Sequence, residues 1–72
     1  MKIAYYPETD SIYIDLSSKD SVESKEVSPG VVLDYDSEGR IVGIDIDNAM
    51  NKLDLRELVL SQVPANKQTI AA

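Results

Sequence analysis

The sequence predicts an α+β domain: an antiparallel sheet of about four strands, built from β-hairpins, followed by one short C-terminal helix. Three observations carry that prediction. "SIYIDL", Ser11 to Leu16, places Ile12, Ile14 and Leu16 on one side and Tyr13 and Asp15 on the other, a period of two with no helical counterpart at this length. "VVLDY" and "RIVGIDI" are β-branched runs that flank the turn-forming "DSEG", as in a hairpin. Beyond Ile46 the apolar spacing becomes helical and ends at Pro64, since proline cannot continue a helix.

Each element has a local cause. Lys2 to Tyr6 is a short β-prone run stopped by "PETD", where Pro7 presets φ and Asp10 favours a turn. Ser11 to Leu16 returns beside it as the second strand of a hairpin. "SSKDSVESKEVSPG" is polar and contains only Val22 and Val27 as apolar side chains, so Val22 to Val27 is expected as an exposed edge strand or extended arm, ended by Pro29 and Gly30. In the next hairpin Gly39 suits the left-handed position of a three-residue loop. The expected pairs are Asp36 with Arg40, Tyr35 with Ile41, Asp34 with Val42 and Leu33 with Gly43.

In the C-terminal part, Asp54 and Glu57 have capping-box spacing, and Leu55, Leu58 and Val59 share a helical face, which places a short helix from about Asp54. "DNAMNK" before it is a helical turn or a loop, with Ala49, Met50 and Leu53 as buried candidates. Residues 1–62 are expected to form the single domain and 63–72 a mobile tail.

Composition narrows the functional classes. With 72 residues, the core alone gives marginal stability, so an added support such as oligomerisation is expected. There is no Cys and no His, which excludes a disulfide staple and thiolate or imidazole ligation of zinc, haem or iron–sulfur clusters, and no cofactor is expected. The absence of Cys suits a reducing cytoplasm. Pro7, Glu8 and Asp10 interrupt the N-terminal region before any long apolar run, so neither a signal peptide nor a membrane span is expected. Thirteen acids against seven basic residues give a net charge of −6, which disfavours nucleic acid bound by this chain alone and favours a basic partner.

One motif suggests a metal. "DYDSEGRIVGID", Asp34 to Asp45, has acids at its first, third, fifth and twelfth positions, a glycine at the sixth and an aliphatic at the eighth, close to the calcium loop of an EF-hand. An EF-hand loop lies between helices, whereas these flanks read as strands. The expectation is therefore no metal site, with a weak calcium-binding hairpin at Asp34, Asp36 and Glu38 as the alternative.

No catalytic residue is expected. Acid pairs such as Asp34 with Asp36, or Asp15 with Asp45, can exchange protons near neutrality only if burial or close pairing raises one pKa, and no enclosing pocket is evident. The serines lie in polar, turn-like contexts, and strand tyrosines such as Tyr13 and Tyr35 ordinarily pack a face with the hydroxyl wet. The sequence reads as a binding protein rather than an enzyme.

"YYPETDSIYIDLS" and "EVSPGVVLDYDSEGRIVGIDIDNA" together resemble the small bacterial and archaeal family named domain of unknown function 2283. The resemblance runs from about Met1 to Leu60. Tyr6 stands where many relatives have Asp before the proline, and Asp45 where many have Glu. The resemblance implies a sheet with a C-terminal helix and supplies no catalytic residues. It also implies a kinship with compact toxin–antitoxin-type gene pairs, hence an antitoxin-like partner of a small basic protein.

The expected hairpin register places Val32, Val42, Ile44 and Ile46 on one face and Val31, Leu33, Tyr35 and Ile41 with Gly43 on the other. Both faces then read as apolar, and a short helix covers only one. A second copy is expected to cover the face of Val31, Leu33, Tyr35 and Ile41 in a twofold homodimer.

Overall fold

A computed structural model describes residues 1–64; of the tail expected over 63–72, residues 65–72 lie outside the described residues. Five strands form one antiparallel sheet: β1 (Lys2–Tyr6), β2 (Ser11–Asp15), β3 (Glu23–Ser28), β4 (Val31–Tyr35) and β5 (Ile41–Ile46). Their spatial order is β1-β2-β5-β4-β3. The strand β5 is central, held by β2 on one side and β4 on the other, so the β1–β2 hairpin and the β3–β4–β5 meander share it. The stretch expected as an edge strand or arm is the edge strand β3, paired antiparallel with β4 and shifting register between Glu26 and Ser28.

Turn chemistry explains the connections. Gly30 and Gly39 have φ of +73° and +80°, a region open to glycine without a Cβ penalty. Gly39 N–H donates to the Asp36 carbonyl at 3.1 Å, and Asp36 N–H donates to the Arg40 carbonyl at 2.8 Å, which closes the three-residue loop expected from "DSEG". Pro29 and Gly30 turn β3 into β4, with proline's fixed φ followed by a positive φ.

The hairpin register differs from the expected one. Tyr35 does face Ile41, but Leu33 faces Ile44 and Asp34 faces Gly43, because the ladder shifts by one residue and leaves Val42 as a bulge. That shift re-sorts the side chains. Val31, Leu33, Ile44 and Ile46 now share a face with Ile12 and Ile14, their neighbours across β5, and alternation brings Val42 to the same side. Val32 instead faces Asp45 on the opposite side. The sheet thus has one apolar and one polar face, where the expected register gave two apolar ones.

The C-terminal helix lies earlier than expected. A four-residue helix, α1, spans Ala49–Lys52 and ends at Leu53, whose φ of −127° and ψ of 150° are extended. From Asp54 onward the described residues form no helix. The Asp54 carboxylate accepts the N–H of Arg56 at 3.4 Å, a local turn in place of the capping-box bond to Glu57. The start of α1 is fixed from far along the chain. Asp10, itself at φ +49°, accepts Ala49 N–H on its carbonyl at 2.9 Å and Met50 N–H on its carboxylate at 3.2 Å, while Asn48 contributes no side-chain cap. Of the three buried candidates only Ala49 is buried, at 0 % exposed; Met50 is 70 % exposed.

Candidate interaction surface

The apolar face has little above it. Besides Ala49, the only buried apolar side chains among the described residues are Ile12 and Val42, whereas Ile14, Val31, Leu33, Tyr35, Ile44 and Ile46 are half-buried. Ile3, Tyr5 and Ile41 on the same face are exposed. The residues expected at an interface, Val31, Leu33, Tyr35 and Ile41, are therefore brought together by the fold, as part of a larger apolar surface continuing through β5 and β2 to β1. The helix α1 is one turn long and cannot span five strands, which at about 4.8 Å spacing run roughly 20 Å from edge to edge.

The polar face is organised around Tyr13 and Asp34. Tyr13 and Asp45 are paired across β2 and β5, and Asp34 and Gly43 across β4 and β5. The Tyr13 hydroxyl donates to Asp34 Oδ2 at 2.7 Å, and Ser24 on β3 donates to Asp34 Oδ1 at 2.6 Å. The tyrosine ring lies across Gly43, where a Cβ would meet its hydroxyl and stand 2.6 Å from Cζ. The bond to Asp34, and then burial, push the Tyr13 phenol up to about 12. Burial, followed by the charges of Asp47 and Asp34, raises the Asp45 carboxyl. Asp15, Asp34, Asp45 and Asp47 consequently give this face a negative character.

The acids of the suspected calcium loop are divided between these settings. Asp34 is held by Tyr13 and Ser24 on the polar face. Asp36 lies in the turn, 6 % exposed, with Oδ1 accepting the N–H groups of Glu38 and Arg40, both at 2.9 Å. Glu38 points to Arg40 at 3.4 Å and Lys19 at 3.9 Å. No group of three or more such acids is placed to hold a metal ion among the described residues. Calorimetric titration of metal-free protein with calcium is expected to give no affinity tighter than roughly millimolar; micromolar binding lost in Asp34→Asn with Asp36→Asn would contradict this.

Asp36 also has a defined pH signature. The Arg40 N–H, with the Glu38 N–H and the nearby Lys19 and Arg40 charges adding to it, holds the carboxyl below its ordinary value against the opposing effect of burial. Its ionised form is thus favoured by folding. Its contribution is complete above the ordinary aspartate pKa and is lost as pH falls through the lower folded value. Asp36→Asn is expected to lower stability at neutral pH and to flatten the acid side of the stability profile, measured by urea unfolding between about pH 2 and 7. An unchanged acid slope would remove Asp36 from that role.

The remaining concavities are open. Among the described residues, one is lined by Met1, Lys2, Asp15, Ser17 and Ser18, and another by Met50, Leu53, Asp54, Leu55 and Arg56. No helix among the described residues is long and apolar enough to cross a membrane. Sequence reasoning missed the Tyr13–Asp34–Ser24 array and the capping role of Asp10. Only the alternation placing Tyr13 and Asp15 together pointed toward the former.

In a comparison with known families, the family described as "Protein of unknown function (DUF2283)" matches residues 2–49, from the start of β1 to the first residue of α1. No curated protein matches, and no solved structure matches.

Proposed function

The chain belongs to the DUF2283 family of proteins of unknown function, and from that premise we propose that it is a small interaction module, working by binding rather than catalysis, whose apolar sheet face is covered by a second copy. One observation carries the proposal: a five-stranded sheet with a single apolar face, beside which the only helix among the described residues is four residues long. Leaving several large side chains half-exposed forgoes part of about 1.5–3 kcal/mol each, and monomers seldom keep so broad an apolar patch. A twofold pair is the simplest closed arrangement.

A second partner fits the opposite face. Asp15, Asp34, Asp45 and Asp47 favour a small basic protein there, in keeping with an antitoxin-like role in a reducing cytoplasm. The two readings are compatible because they use different sides of the sheet. Light scattering coupled to size exclusion at tens of micromolar tests the first: twice the chain mass of 7.9 kDa is expected, and a well-folded monomer overturns it.

A further inference from the structure

Two features of the chain are unfinished in a complementary way. Among the described residues the apolar sheet face is left largely uncovered, and the segment Leu53–Pro64 is packed on nothing. Every residue of that segment is exposed, including Leu55 at 38 %, Leu58 at 69 %, Val59 at 70 %, Leu60 at 47 % and Val63 at 42 %. Its sequence nevertheless has a helical design: Asp54 and Glu57 at cap spacing, then Leu55, Leu58, Val59 and Val63 at i, i+3, i+4 and i+8. A helix of about ten residues is marginal in water and takes most of its stability from packing its apolar stripe. The absence of helix from Asp54 onward is what that rule gives for a segment without a docking surface.

Resting on the self-association proposed above, we infer that residues 54–63 of each copy fold as a helix onto the apolar sheet face of the other copy, an arm exchange across the twofold axis. Dimensions agree, since ten helical residues span about 15 Å and five strand residues about 17 Å. The choice of the partner's sheet over the chain's own follows from the tether. The helix α1 is pinned through Asp10 at its first turn, only the extended Leu53 separates it from Asp54, and every residue from Leu53 to Pro64 is exposed rather than packed on its own sheet.

Interface size favours exchange over bare sheet-on-sheet contact. A face of five five-residue strands projects to roughly 400 Å², so two such faces bury on the order of 800–1,000 Å², at or below the lower edge of stable interfaces. Bare contact would also leave the apolar residues of both arms in water. Exchange buries the face and the arm together.

The test uses two full-length variants and their mixture. Leu33→Lys spoils the face, and Leu58→Lys spoils the arm at a side chain that is already exposed, so the latter leaves the isolated fold unaffected. Wild type is expected as a dimer whose helical circular dichroism at 222 nm rises with concentration, and each variant alone as a monomer. Mixing the two restores a 1:1 heterodimer, because the intact arm of one meets the intact face of the other. A Leu58→Lys variant that stays dimeric overturns the exchange while leaving self-association through the face in place. A monomeric wild type overturns self-association itself. Failure of the mixture to associate, with both variants monomeric and folded, overturns docking on the partner's face.

Discussion

Gly43→Ala is expected to destabilise the protein even though alanine ordinarily improves on glycine within a strand by roughly 0.5–1 kcal/mol. The new Cβ would stand 2.6 Å from Tyr13 Cζ and 3.3 Å from Cε2, with the hydroxyl closer still. The ring must therefore move. Moving it breaks the 2.7 Å bond to Asp34, a charge-assisted hydrogen bond at a partly buried site, and leaves that carboxylate with Ser24 alone on the polar face. We expect a net loss of about 1–3 kcal/mol, which in a domain of this size lowers Tm by roughly 4–8 °C for each kcal/mol. Gly43→Val adds two further methyl groups beneath the ring and should cost more. The cause can be isolated by a double-mutant cycle: in a Tyr13→Ala background the clash is gone, and Gly43→Ala should become neutral or slightly stabilising. Equal destabilisation in both backgrounds would show that Tyr13 is not the obstacle.

The same glycine shows where the sequence stopped being legible. Period-two alternation was sufficient to find β2, β-prone and β-branched runs bounded by turn residues to find β1, β4 and β5, and "DSEG" to find the loop closed by Gly39, because those features depend on neighbours in the chain. The placement of β5 depends on its neighbours in the sheet. Tyr13 lies over Gly43, where a Cβ would clash with the ring, and on the other side of β5 the ladder with β4 shifts by one residue and leaves Val42 as a bulge. Nothing within "RIVGIDI" announces that shift, yet it decides which side chains share a face. Asp10 is similar, since its turn-forming role was local and visible, whereas its bond to Met50 links residues forty positions apart. The helix expected from Asp54 is the reverse case. Its pattern is legible, but every residue from Leu53 to Pro64 is exposed, and a short helix without packing for its apolar stripe is marginal in water.

Adjacent residues of β4 should consequently respond in opposite ways to one substitution. Leu33→Lys is expected to abolish the dimer and Val32→Lys to preserve it. Leu33 lies between Lys25 of β3 and Ile44 of β5 on the apolar face, whereas Val32 lies between Glu26 of β3 and Asp45 of β5 on the polar face. A lysine at 32 meets acids on both flanks and retains its hydration, so the fold gains or loses little. At 33 the twofold symmetry makes each substitution count twice. Removing up to about 1.5–3 kcal/mol of apolar burial at each of two equivalent sites, before any desolvation of the charges, weakens association by roughly a hundredfold to ten-thousandfold. Sedimentation equilibrium at matched concentrations, with thermal melts confirming that both variants fold, separates the outcomes. A dimer that survives Leu33→Lys, or is lost with Val32→Lys, would place the interface elsewhere, whereas the expected pair of results assigns it to the side of the sheet fixed by the bulge at Val42.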